Sequence, residues 1–203
     1  MGMEELLGDI RKHHATLREQ IEKQAGKEKC SDVLAGLPTP TGEETPGQRA
    51  QWAAQVCECL ESALDPNMVI QIRQQCACVK SNKYSAYNRK YFPQIREENP
   101  DDEDYLRGVA QFLSGRPRIG QSVEYTDGRL ITRLGEGRGC GCFVIKGGWD
   151  KPPSTTWCRC CQGTLFSVYQ FVFADKECHM DIVQTHATGG EDCVFSTWYT
   201  DKE

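Results

Sequence analysis

The sequence predicts an α+β fold, with helices packed on a mainly antiparallel sheet. Three observations carry that expectation. Apolar residues recur at helical spacing through the first half. After Pro117 the pattern changes to short alternating runs with turn signals. One long apolar segment then interrupts the strands, so a late helix crosses the sheet. The expected layout is an N-terminal helix and Pro-rich loop (1–46) followed by one α+β domain (47–203). That domain divides into a helical part (47–116) and a sheet part (117–203).

The elements follow in chain order. Leu6, Ile10, Leu17 and Ile21 give a helix from Met3 to about Ala25, which Gly26 ends. Pro38, Pro40, Gly42 and Pro46 form a loop. A second helix spans Gly47 to Leu64, with Trp52, Val56, Leu60 and Leu64 on its apolar side. Asp65-Pro66 opens a third, because Asp caps and Pro fits the first turn. It holds Met68 and Ile72 and ends near Cys76. A fourth runs from about Tyr84 to Ile95, and Asp101 or Asp102 caps a fifth that ends near Ser114-Gly115.

Val123-Glu124-Tyr125 and Leu130 to Leu134 flank Thr126-Asp127-Gly128, a hairpin turn signal. Phe143 to Lys146 reads as a third short strand, and Gly147 to Thr156 as a loop. Thr164 is the expected cap of a buried helix reaching Phe173. Lys176 to His186 and Cys193 to Tyr199 are the last two strands.

Composition narrows the function classes. The chain has 203 residues, 24 basic and 29 acidic, for a formal charge of −5, which argues against a nucleic-acid partner. It lacks an apolar run of about 18 residues, so no membrane-spanning helix is expected. The polar start MGMEELLGDIRKHH is unlike a secretory signal, and a reducing, cytoplasmic setting follows as the expectation. The amphipathic first helix is a candidate contact for a second copy, giving a homodimer.

Cysteine is the unusual residue, 12 of 203. Three Cys-x-Cys pairs occur: Cys57/Cys59, Cys76/Cys78 and Cys140/Cys142. Cys158-Arg159-Cys160-Cys161 follows. In a reducing compartment such clusters point to metal binding or reactive thiols, since the thiolate is both ligand and nucleophile. Residues two apart on a helix point about 200° apart, so Cys57 and Cys59 cannot grip one ion and read as incidental. Cys76 and Cys78 fall where a helix ends and can converge. Cys140 and Cys142 lie among glycines with a free backbone. Cys158 and Cys160 precede a helix whose N-terminus favours thiolate.

The expected metal ligands are therefore Cys76, Cys78, Cys140, Cys142, Cys158 and Cys160, with zinc the expected ion. Cys158 and Cys160 are the candidates for a catalytic thiol. Cys-x-Cys spacing is not that of zinc ribbons or ferredoxins. Cys178 and Cys193 read as strand packing residues. His13 and His14 read as solvated, and His179 and His186 as strand residues on opposite faces.

Cys76-Ala77-Cys78, Cys140-Gly141-Cys142 and Trp157-Cys158-Arg159-Cys160 are followed by Gly189-Gly190-Glu191-Asp192-Cys193-Val194-Phe195. In that order they resemble an uncharacterised prokaryotic cysteine-rich family. It is similar to aminothiazoline-carboxylate hydrolase-like proteins and, through them, to vinyl-reductase-type ligand-binding domains. The resemblance runs from about Trp52 to Trp198. It implies a twisted antiparallel sheet with packed helices and a small-molecule or metal pocket between them. Cys161 and Cys178 depart from its pattern. Three functions are compatible with these residues: a zinc or small-molecule binder, a hydrolase using a cysteine or metal-activated water, and a thiol redox module with Cys160-Cys161 and Cys140/Cys142 as disulfide partners.

Overall fold

A computed structural model describes residues 9–116, 119–135, 139–149, 152–173 and 175–202. Within them the chain is α+β: seven α-helices and a four-stranded antiparallel sheet. It divides into two compact units. One holds the chain up to Cys78, with 139–163 and 186–188; the other holds the rest.

The first unit is helical. Helix α1 (Ile10–Ala25) starts at Asp9, whose carboxylate accepts the Arg11 N–H, and buries Ile10, Leu17 and Ile21. Leu6 lies outside the described residues. Gly26, at φ 90°, ends α1, and α2 (Lys27–Leu34) begins at once, a helix that the Gly-Lys punctuation hid. Helix α3 (Pro46–Ala63) opens on a capping box. The Thr45 side chain accepts the Gln48 N–H, and the Gln48 side chain accepts the Thr45 N–H. Helix α4 (Pro66–Gln75) has the expected Asp65 cap and first-turn Pro66. A shared core of Ile10, Leu17, Trp52, Val56, Leu60 and Ile72 joins these helices.

The segment 139–149 is not the strand expected at Phe143–Lys146. It is a series of turns, with Lys146 N–H donating to the Cys142 carbonyl at 3.0 Å and Trp149 N–H to Ile145 at 3.2 Å. Val144 and Ile145 are apolar because they anchor these turns in the helical core.

The second unit begins with a π-helical turn (Tyr87–Tyr91) running into α5 (Phe92–Glu98). Helix α6 (Asp102–Leu113) is capped by Asp101, and the acidic first turn suits the positive end of its dipole. Strands β1 (Ser122–Thr126) and β2 (Arg129–Leu134) form the expected hairpin, with Asp127 at φ 49° and Gly128 at φ 75°. Strands β3 (Lys176–Gln184) and β4 (Cys193–Asp201) complete the order β1-β2-β4-β3. His186 is not in β3 but in a buried 3-10 turn, His186–Thr188.

Helix α7 (Thr155–Val172) gives its first half to the helical unit and its second to the sheet unit. In the latter, the Tyr169 hydroxyl meets Thr132 Oγ1 of β2 at 2.6 Å. The helix starts nine residues before Thr164. Ser154 is the cap, its hydroxyl accepting the Thr156 N–H at 3.1 Å. No helix among the described residues is long and apolar enough to cross a membrane.

Candidate thiolate site

Three segments of the helical unit meet around buried sulfur, and glycines set how closely. Gly163 of α7 lies against the end of α4. A Cβ there would stand 2.0 Å from the Gln74 carbonyl oxygen, so the two backbones touch. Gln74 Nε2 also donates to Gln162 Oε1 at 3.0 Å. Cys76 caps α4, and Ala77 N–H closes on the Gln74 carbonyl at 3.2 Å, turning the chain so that Cys78 faces α1. The 139–149 turns dock on the start of α3. A Cβ on Gly148 would stand 2.1 Å from the Pro46 carbonyl oxygen, and Arg49 Nε donates to the Val144 carbonyl at 3.0 Å.

Arg73 is the unexpected member. It is only 3% exposed, and among the described residues it forms no ion pair with a carboxylate. Its Nη2 donates to the Trp157 carbonyl at 3.2 Å, and its guanidinium lies 4.3 Å from the Trp157 ring centroid. Neither contact supplies negative charge. The groups that electrostatically favour its charge are Cys76, Cys160, Cys57 and Cys78. A buried charge costs several kcal/mol unless compensated, so this guanidinium calls for a thiolate.

Cys160 answers it. Hydrogen bonds from the Cys161 and Cys78 thiols, then the nearby charges of Arg73 and His13, hold its thiol well below the ordinary range against the penalty of burial. Cys78 and Cys161 are pushed up, chiefly because they keep protons to donate to Cys160. Cys142 is also raised, first by burial and then by the Cys160 charge. It nevertheless accepts N–H donors from Trp157, at 3.3 Å to the indole nitrogen, and from the Ile145 and Val144 backbone. Such donors favour a sulfur that becomes anionic. Cys57 faces the same region, burial pushing it up to about 11 with Arg73 opposing, whereas Cys59 is half-buried. The Cys57/Cys59 pair is thus split as helix geometry requires, but Cys57 belongs to the surroundings of the site.

Cys158 and Cys140 complete the expected set. Cys158 is buried in the second turn of α7 and bonds back to the Ser154 carbonyl at 3.9 Å. Cys140 is half-buried against the helical core. With α7 starting at Thr155, neither Cys158 nor Cys160 precedes the helix, and Cys160 is held low first by the Cys161 and Cys78 thiols and then by Arg73. Cys160 and Cys161 cannot pair readily as a disulfide. Consecutive trans residues hold their Cα atoms about 3.8 Å apart, below the usual disulfide range.

His13 is not solvated. Half-buried on α1, it places Nε2 3.7 Å from Cys78 Sγ. Its spacing from Ile10 and Leu17 put it on the buried stripe, which was the available signal. Arg73 gave none, since a helical Arg ordinarily marks a solvated face. His179 stacks on Trp198, with ring centroids 5.6 Å apart, and contacts Thr200 Oγ1 at 2.8 Å. In the sheet unit, Phe92, Arg96, Tyr105, Phe173, Lys176 and Tyr199 help line a cavity of about 500 Å³ that no cysteine enters.

The donors fit a soft cation by chemistry: thiolates and an imidazole suit zinc. Among the described residues, however, no three His, Cys, Asp or Glu side chains stand already arranged around an ion position.

Residues 7–202 match the DUF6144 family, described as a family of unknown function, and the chain belongs to it. No curated protein and no solved structure matches the chain.

Proposed function

We propose that this is a soft-metal-binding protein, with zinc the first candidate, centred on Cys78, Cys142 and Cys160. The observation that carries the reading is Arg73, a buried guanidinium with cysteines around it and no carboxylate ion pair among the described residues. The N–H donors on Cys142 support it. Of the six cysteines expected from sequence, Cys76 lies near Arg73, and this reading centres the site on Cys78, Cys142 and Cys160 rather than on Cys140 and Cys158. A bound ion supplies a crosslink between segments distant in sequence. The chain's part is to hold the sulfurs together, to compensate their charge with Arg73, and to release the protons of Cys78 and Cys142 on loading. Elemental analysis of anaerobically purified protein, with a thiol count, tests this. About one zinc per chain is expected for a single closed site. Metal-free protein whose stability ignores a chelator would sink the reading.

A second reading follows from the Cys160 thiolate and the similarity to aminothiazoline-carboxylate hydrolase-like proteins. Cys160 thiolate then adds to the ring C=N carbon, its electrons passing to the ring nitrogen; the adduct expels that nitrogen as an amine on protonation, and water then displaces the Cys160 thiolate. Cys160→Ser would abolish turnover of an aminothiazoline carboxylate while leaving the fold intact. Unchanged turnover removes this alternative.

A further inference from the structure

We infer that residues 79–91 of the second unit, together with Arg116, form a binding surface for single-stranded nucleic acid. The surface shares no residue with the thiolate site and stands whether or not that site holds a metal.

Charge is the first argument. Five of the 24 basic residues and none of the 29 acidic ones fall between Val79 and Arg96. That stretch is strongly positive in a chain whose total is −5, so the whole-chain charge conceals it. Arg96, Arg107, Arg133 and Lys176 of the same unit each pair with a carboxylate. Among the described residues Lys83, Arg89, Lys90 and Arg116 form no ion pair, and the first three are exposed. Like charges gathered this way repel one another, and a polyanion relieves that repulsion.

The rings are the second argument. Lys83 Nζ lies 5.1 Å from the Tyr84 ring centroid and Lys90 Nζ 5.5 Å from that of Tyr91. The Arg116 guanidinium lies 3.8 Å from the Phe112 centroid and 5.9 Å from that of Tyr87. The π-helical turn sets Tyr87 and Tyr91 side by side, their centroids 6.4 Å apart, and both pack on Phe112. Tyr84 is 68% exposed. Cations interleaved with accessible rings suit a single strand, whose phosphates meet the cations and whose bases stack on the rings. The rival is an anionic membrane surface. A membrane-seated segment needs several large apolar side chains to insert, and between Val79 and Arg96 the only large exposed one is Tyr84.

Fluorescence anisotropy of the full-length protein with a labelled oligothymidylate of about 12 nucleotides tests this. A dissociation constant of about 10 µM or tighter is expected at about 50 mM salt, weakening as salt rises. Tyr84→Ala should weaken binding at least about fivefold through the lost stack. Combining Lys83→Gln, Arg89→Gln and Lys90→Gln should reduce the slope of log affinity against log salt by about 2, at about 0.7 per lost phosphate contact. All four side chains are exposed, so neither variant disturbs the core. A duplex of the same length should bind more weakly, because its base faces are already stacked. Absence of binding at about 50 mM salt overturns the inference. So does a duplex bound as tightly as the single strand, wild-type affinity in Tyr84→Ala, or an unchanged salt slope in the triple variant. Cosedimentation with phosphatidylserine vesicles in preference to the oligonucleotide assigns the surface to lipid and overturns it as well.

Discussion

Arg73 shows how one buried charge organises a site. Its guanidinium lies over Trp157 and donates to the carbonyls of Thr156 and Trp157, so the start of α7 is tied to α4. Its charge is then available to sulfur. Replacing it by methionine keeps much of the volume and removes the cation. In metal-free Arg73→Met protein, the Cys160 thiol should rise, while the Cys161 and Cys78 hydrogen bonds that lower it most remain. Thiolate absorbance in the far ultraviolet, followed against pH, reads this directly. A low-pH thiolate step of unchanged midpoint would show that Arg73 does not hold the Cys160 charge. At this scale the sequence disclosed sulfur but not its partners. Cys78, Cys142 and Cys160 were visible because clustered cysteine is rare. Arg73 was not, because polar side chains on helices are ordinarily solvated and only tertiary packing reveals the exception, while His13 showed only in its spacing from Ile10 and Leu17.

At the scale of elements, caps and close approaches decide the architecture. Thr45→Ala removes one half of the α3 capping box and should cost about 1 kcal/mol in a denaturant titration. A change within error would mean that Pro46 alone fixes the start of α3. Gly163→Ala is the sharper test. Its Cβ would fall 2.0 Å from a backbone oxygen at the end of α4, and backbone cannot rotate away as a side chain can. Overpacking of this kind costs about 1–3 kcal/mol or more. The variant should be destabilised by at least that, and should bind metal more weakly because α4 carries Cys78 away from Cys160. Wild-type stability with wild-type metal uptake would refute the close crossing. Asp65-Pro66, Asp101 and Asp127-Gly128 were legible because each acts through its own backbone neighbours. Phe143–Lys146 misled because a short apolar run marks burial without specifying strand or turn. The start of α7 was hidden by Pro152 and Pro153, which read as loop although Ser154 caps a helix directly after them.

Across the whole molecule, burial of neutral acids sets an alkaline limit on stability. Burial pushes Cys178 in β3 from 9.0 up to about 12. Tyr105 in α6 moves from 10.0 up to about 12, chiefly by burial, with Arg96 opposing. Both are acids whose neutral form is favoured in the folded state. Above the unfolded values, the unfolded chain loses these protons while the folded chain keeps them, so the folded state binds more protons and stability falls as pH rises. The loss should begin near pH 9 with Cys178, steepen from about pH 10 as Tyr105 joins, and level off above about pH 12. Cys178→Ala should make the earlier decline shallower without abolishing it, since Cys57, Cys78, Cys142 and Cys161 are also raised, and should leave the later one. The check is urea midpoints measured under reducing, metal-free conditions from pH 8 to 11, so that neither disulfides nor an ion at Cys160 contributes. If Cys178→Ala protein loses stability between pH 9 and 10 as steeply as wild type, burial of Cys178 is not the source of the slope. The decline then belongs to other groups that keep their protons in the folded state, and the thiols around Arg73 become the first to substitute.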